Sequence, residues 1–462
     1  ELNPIDKLWV DQPAPPLEPV TIHPIAYAGE LARDKLARLA AAIGDQAATH
    51  CVLTDPSSLA WTFNIRGNDV PHTPLALGFA IIGADGRHHL FMDKRKMGIE
   101  TEAYLTQLCE LHPPRQLEAE LARFAGQKAA IALDPGLAAE QLRTVVERSG
   151  GKVVEAPDPA RLPRAAKNAA EIAGTRAAHR RDGAAIVEFL AWLDAQEAGT
   201  VDEIAAVVRL EECRRAAGEA SQMPLRDISF DTISGGGPNG AVIHYRVSHA
   251  TNRKLGAGEL FLLDSGAQYE DGTTDITRTV AIGTPTDEMR ERATMVLKGM
   301  IGISTLRFPA GTRGSDIDAV ARVALWKAGL DYAHGTGHGV GSYLSVHEGP
   351  QRIAKSGTER LVEGMILSNE PGYYKPGHYG VRLENLILVT AAEPIEGGDI
   401  AMHGFETLTL APFDRRLIAP WLLTKEELAW LDAYHARVRA EIGPLVRGDT
   451  LKWLEAATAP LR

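Results

Sequence analysis

Leu260-Phe-Leu-Leu-Asp-Ser-Gly-Ala-Gln-Tyr-Glu-Asp-Gly-Thr-Thr-Asp-Ile-Thr-Arg-Thr-Val280 holds two strand-like runs, each marked by an aspartate. Asp264 interrupts the first run and Asp275 opens the second. A charge buried in a strand costs several kcal/mol unless it is paired or bound to a metal. The geometry depends on where the chain reverses. A reversal around Tyr269-Glu270 makes the aspartates face each other, with Cβ atoms roughly 5 Å apart. A tight turn at Asp271-Gly272 leaves them on one face but four residues out of register, about 13 Å apart. The residues leave both registers open.

Working outward, further carboxylates occupy comparable positions. Met365-Ile-Leu-Ser-Asn-Glu-Pro371 ends a strand with Glu370, and Val381-Arg-Leu-Glu-Asn-Leu-Ile387 carries Arg382 and Glu384 on one face. His334-Gly-Thr-Gly-His-Gly-Val-Gly341 sets His334 and His338 in a glycine-dense loop, which lets backbone approach a ligand closely. Any one of these residues alone reads as a solvated charge or a satisfied histidine. Together, four carboxylates and an imidazole supply about four negative charges, the balance of two divalent cations sharing oxygens. An oxygen-rich set favours Mn²⁺ over a thiolate-type zinc site.

The remaining sequence frames this constellation. Its 462 residues carry 49 Lys+Arg against 60 Asp+Glu, a formal charge of −11, which argues against nucleic acid as the main partner. No apolar run approaches the ~18 residues of a membrane helix. Three distant cysteines, Cys51, Cys109 and Cys213, exclude a disulfide scaffold and suit a reducing compartment. No signal-peptide pattern follows Glu1, so the expected location is cytoplasmic.

Residues 1–20 hold five prolines and read as an extended linker or arm. Alternating helices and strands over 21–160 predict a small α/β domain, with a hairpin turn at Gly83-Ala-Asp-Gly86. The Pro-punctuated stretch Pro159–Asn168 marks its end. Two helices, at Ala169–Ala198 and Asp202–Ala217, then lead into glycine-rich β structure that includes a strand over Phe230–Tyr245. A large α+β domain over 161–404, with a helical extension at 405–462, accounts for the rest.

The string Asp264, Asp275, His338, Glu370, Glu384 resembles the ligand set of the pita-bread metallopeptidases, a family that includes methionine aminopeptidase, prolidase and aminopeptidase P. Phe230-Asp-Thr-Ile-Ser-Gly-Gly-Gly-Pro-Asn-Gly240 with His244-Tyr245, and His347-Glu-Gly-Pro350, resemble the cytosolic-type aminopeptidase P branch. So do Phe405–Pro412 and Leu422–Trp430. The resemblance runs from about Asn3 to the C-terminus. It implies a pita-bread catalytic domain behind a creatinase N-terminal-like α/β domain. Relatives of this branch commonly have three domains, and Asn3–Pro19 resembles the linker after the first, so the first N-terminal domain is expected to be lacking.

The same resemblance implies roles. Asp264 would hold one metal, His338 and Glu370 the other, while Asp275 and Glu384 bridge both. Glu370 would also be the general base, and His244 and His347 would contact substrate and take part in catalysis. His334 would lie at the substrate site, and Arg382 would orient carboxylates. Implied cofactors are two divalent metal ions, Mn²⁺ before Zn²⁺ or Co²⁺. Implied partners are peptides with proline in the second position and a second copy of the chain in a homodimer. Arg66 would border a neighbouring subunit's site, and Tyr245, Tyr343 and Tyr373 are candidate pocket walls. The rival readings are an Xaa-Pro dipeptidase, a creatinase-like hydrolase without metal ligands and a non-catalytic peptide-binding module. The creatinase-like and module readings both predict lost ligands, and all five are present.

Overall fold

The computed structural model describes residues 4–461. They divide into two compact units, one of residues up to Pro24 with Glu30–Ala160, the other of Ile25–Gly29 with residues from Arg161 onward. No helix among the described residues is long and apolar enough to cross a membrane.

The first unit is built on a six-stranded sheet. Its strands are β1 (His50–Leu53), β2 (Phe79–Gly83), β3 (His88–Phe91), β4 (Glu110–His112), β5 (Ala130–Leu133) and β6 (Lys152–Glu155), in the order β4-β3-β2-β1-β5-β6. The hairpin between β2 and β3 turns at Gly86, whose φ of +83° is left-handed and costs glycine little. Pairing is antiparallel between β2 and its two neighbours and parallel for β3–β4, β1–β5 and β5–β6. Helices α1 (Ala32–Asp45), α2 (Leu117–Gly126) and α3 (Glu140–Arg148) fill the connections. Leu121 and Phe124 of α2 and Leu142 and Val146 of α3 pack on Val52, Ile81, Phe91 and Ile131 of the sheet. The arm expected over 1–20 is not extended throughout. Pro4–Leu8 is a short helix, since proline's fixed φ suits a first helical position.

The second unit opens with α4 (Ala169–Asp194), whose start is a capping box. The Asn168 side chain accepts from the amides of Ala170 and Glu171, and Glu171 accepts from the Asn168 amide. Alongside it runs α5 (Glu203–Ala220). Strands β7 (Ile233–Gly236), β8 (Glu259–Ser265) and β9 (Ile276–Ile282) form an antiparallel sheet. The strand expected over Phe230–Tyr245 is limited to β7. Gly237, at φ +51°, and Pro238 divert the chain into a 3₁₀ turn over Gly237–Ala241.

Helices α6 (Asp287–Ser304) and α7 (Gly314–Trp326) follow. The five strands β10 (Gly337–Gly339), β11 (Glu348–Ile353), β12 (Ile366–Asn369), β15 (Asn385–Val389) and β16 (Phe405–Thr407) form one sheet, with the hairpin β13 (Gly372–Lys375) and β14 (Tyr379–Arg382) set between β12 and β15 in sequence. The stretch after residue 404 is therefore not wholly helical, because β16 pairs with β15 before α8 (Lys425–Ile442) and α9 (Gly448–Ala457) begin. Met300 of α6, Leu260 of β8, Val381 of β14 and Tyr434 of α8 share one buried core.

An ion pair fixes the strand ends that matter. Arg214 of α5 bonds Asp182 of α4 at 2.8 Å, and both are buried. Arg214 also reaches the Ser265 hydroxyl and the Gly266 carbonyl, while Asp182 accepts from the Thr274 hydroxyl. The residues following Asp264 and preceding Asp275 are thus tied to one helix-borne pair.

Candidate active site

The register of β8 and β9 lies between the two expected from sequence. Asp264 pairs with Thr277 and Ser265 with Ile276, after a two-residue turn at Glu270-Asp271 flanked by the pair Tyr269 and Gly272. Asp275 is two residues from the partner of Asp264, so the two aspartates are diagonal neighbours on one face.

Around this face lies a cavity of about 540 Å³. Its walls include Asp264, Asp275, His338, Glu370 and Glu384, together with His244, His334, His347 and Arg382. The expected metal ligands, the three further histidines and Arg382 therefore all line one cavity. Asp275, His338 and Glu384 each offer an atom within 4.8 Å of the others, and His338 Nε2 lies 3.6 Å from Asp275 Oδ2 and 3.5 Å from Glu370 Oε1.

Local geometry aims these groups. Gly337 precedes His338 because β10 runs against β12: a Cβ there would sit 1.9 Å from the Ser368 carbonyl oxygen. The Ser368 hydroxyl accepts from the His338 amide and donates to Glu370 Oε1. His338 Nδ1 lies 2.9 Å from the Gly339 carbonyl, which can only accept, so Nδ1 carries the proton and Nε2 faces the carboxylates with a free lone pair. Burial, with His347 beside it, lowers the pKa of His338 to about 3. Glu384 accepts from the Thr277 hydroxyl at 2.7 Å, and its amide donates to the Thr277 carbonyl.

Arg352 lines the same cavity from an exposed position, while Arg382 is the buried cation of the cluster. Its Nη2 donates to Asp264 Oδ2 at 2.6 Å, its Nε to the Thr277 hydroxyl and its Nη1 to the Tyr374 hydroxyl at 2.8 Å. One guanidinium does not balance four carboxylates. Burial and mutual repulsion push the carboxyls of Asp275 and Glu384 well above the usual range, and burial raises Glu370 to about 8. Oδ1 of both Asp264 and Asp275 is buried without a hydrogen-bond partner. Crowded like charges, two orphaned oxygens and a lone pair aimed among them form a donor set that fits divalent cations.

His334 is held from both sides. Its Nδ1 faces the Gly335 carbonyl at 2.8 Å and so carries the proton, leaving Nε2 to accept from the Tyr374 hydroxyl at 2.9 Å. Burial lowers its pKa to about 4. The His347 ring stands edge-on to His338, centroids 4.2 Å apart. Tyr374, which joins Arg382 to His334, is the residue sequence reading missed. Only its alternation with Tyr373 on a short strand pointed to it.

The tyrosines proposed as walls are not among the residues lining the cavity, where Phe230, Ile233 and Ile243 supply the apolar surface. Tyr245 instead turns its hydroxyl to Glu203 and Thr251, and Tyr373 packs beside Tyr379. Arg66 is buried in the first unit, donating to the carbonyls of Ala60 and Ile65.

Comparison with known proteins agrees with this fold. The model of metallopeptidase family M24 matches residues 173–391, and that of the C-terminal region of peptidase M24 matches 401–461. A creatinase/prolidase N-terminal domain matches 11–171. The chain belongs to metallopeptidase family M24, with a creatinase-type α/β unit before a pita-bread unit. A probable Xaa-Pro aminopeptidase P of Aspergillus niger is 39% identical over all of this chain and 77% of its own length. One from Neosartorya fischeri is 40% identical over 99% of the chain and 72% of its own. The crystal structure of an X-prolyl aminopeptidase from Caenorhabditis elegans, described as a cytosolic enzyme with a di-nuclear active site, superposes with a TM-score of 0.93 at 34% identity. That match covers 99% of this chain and 75% of the other. A Bacillus anthracis Xaa-Pro dipeptidase gives a TM-score of 0.66 at 25% identity, covering 83% of this chain and 99% of the other. The expectation that a first N-terminal domain is lacking finds no support here, since a creatinase-type N-terminal domain is present.

Proposed function

We propose that this chain is a dinuclear-metal Xaa-Pro aminopeptidase, releasing the N-terminal residue from peptides with proline in the second position. The observation that carries the reading is the convergence of Asp264, Asp275, His338, Glu370 and Glu384 on one cavity with two orphaned carboxylate oxygens. Asp264 would hold one cation, His338 and Glu370 the second, with Asp275 and Glu384 between them. Mn²⁺ suits four carboxylates and one imidazole best, ahead of Zn²⁺ or Co²⁺. When bound, two such cations supply Lewis acidity and bring a water's pKa toward neutrality.

The chain's own residues do the rest. Glu370 takes the proton of the attacking water at a carboxylate oxygen and returns it to the prolyl nitrogen as the amide breaks. His347 and His244 border the cavity where the scissile carbonyl would lie and donate hydrogen bonds to its oxygen as negative charge develops. Burial keeps His334 neutral and the bonds to Gly335 and Tyr374 fix its ring, so it shapes the cavity wall beside the substrate rather than carrying charge. Arg382 holds Asp264 in place. Phe230, Ile233 and Ile243 offer the apolar wall that a pyrrolidine ring needs.

A cytoplasmic homodimer completes the reading. It rests on the family resemblance and is tested by light scattering on the purified chain. Activity is tested on Xaa-Pro dipeptides and longer Xaa-Pro peptides, with and without a chelator. Cleavage of tripeptides and longer peptides, lost with chelator and regained with Mn²⁺, supports the aminopeptidase. Cleavage of dipeptides alone favours the dipeptidase, and turnover indifferent to chelation overturns both.

A further inference from the structure

We propose a second metal site, in the first unit, where His89, Glu110 and His112 hold one zinc-class divalent cation. It lies at the sheet edge. Strands β3 and β4 pair in parallel with His89 opposite Glu110 and Phe91 opposite His112. Glu110 and His112 are two residues apart and share a face, and His89 is in register with Glu110, so all three project from the same side.

The donor atoms converge. His89 Nδ1 lies 3.0 Å from His112 Nε2 and 3.6 Å from Glu110 Oε2, and His112 Nε2 lies 3.7 Å from that same oxygen. A tetrahedral zinc with bonds of about 2.0–2.1 Å requires donors about 3.3–3.4 Å apart. The three separations bracket that value. Two imidazoles and one carboxylate are also the ligand chemistry of open zinc sites, in which a fourth position belongs to water.

The surroundings suit such a site. Phe91 stacks on the His112 ring at 5.0 Å, and Phe124 meets the His89 ring edge-on at 5.2 Å, so packing orients both imidazoles. The His89 side chain is 6% exposed and that of His112 15%, whereas Glu110 is 70% exposed. An imidazole–imidazole hydrogen bond explains the shortest separation. It does not explain why a carboxylate free to extend into water turns toward both nitrogens at once. A bound cation accounts for all three groups and ties the three-residue edge strand β4 to β3.

The test is equilibrium dialysis of the full chain against low-micromolar free Zn²⁺, with metal counted per chain, for wild type, His112→Gln and Glu110→Gln. The expected result is one equivalent fewer in each variant than in wild type. Glu110 is exposed, so its variant folds even if His112→Gln does not. Equal counts in wild type and Glu110→Gln would overturn the site. The readout is a difference between chains that share an intact carboxylate cluster, so it stands or falls separately from the dinuclear centre.

Discussion

Arg382 donates from Nη2 to Asp264 Oδ2 at 2.6 Å, while Oδ1 of the same carboxylate has no partner. The guanidinium thus fixes one oxygen and leaves the other for the cavity. Arg382→Lys keeps a charge but loses the planar fork that also holds Tyr374 and Thr277. Mn²⁺ affinity should fall about 10–100-fold, with kcat/KM falling in parallel, as read by metal titration and peptide assay. Arg382→Ala should in addition cost ~3–5 kcal/mol of stability in urea denaturation, because it leaves a buried carboxylate unpaired.

Tyr374 ties Arg382 to His334, and burial pushes its hydroxyl up to about 12, so it stays a donor at neutral pH. Tyr374→Phe strands an acceptor on His334 and a donor on Arg382. Stability should drop by about 1–3 kcal/mol. KM for Xaa-Pro peptides should rise while metal content stays that of wild type, which elemental analysis checks.

The buried Arg214–Asp182 pair fastens the strand ends beside Asp264 and Asp275. Arg214→Met removes one partner and leaves the other charge buried. Unfolding in urea should be easier by ~3–5 kcal/mol. Adding Mn²⁺ should recover part of the loss, since it binds only the folded arrangement.

His435 is fully buried, and its Nε2 accepts from the Phe413 amide at 3.1 Å. Burial, with Arg278 nearby, lowers its pKa from 6.5 to about 3. The unfolded chain therefore takes up a proton that the folded chain refuses. The stability this gives is complete above pH 6.5 and is lost as pH falls toward 3, by about 1.4 kcal/mol per pH unit. His435→Gln should flatten that acid limb by about one proton, measured as urea midpoints across pH.

Much of the site was legible because its residues break strong local patterns. Asp264 interrupts an apolar strand, and His338 lies in a loop whose glycine density has a steric cause at Gly337. The β8–β9 register was not legible, because several turns fit Tyr269–Thr274 and only tertiary packing selects Glu270-Asp271. The short strands β4 and β6 leave little trace in the sequence for a different reason. Glu110-Leu-His112 and Lys152-Val-Val-Glu155 are too brief and too charged to show alternation, and they form because their neighbours offer a sheet edge. Tyr245 and Tyr373 have the chemistry of pocket walls, but hydrogen bonding and aromatic packing hold them elsewhere. Aromatic identity alone does not locate a wall.

Anomalous diffraction from crystals soaked in Mn²⁺ tests the central claim most directly. The account predicts two anomalous peaks within the cavity, each in contact with ligands from the set Asp264, Asp275, His338, Glu370 and Glu384. A cavity without a peak, or peaks that none of these five side chains touches, would contradict it.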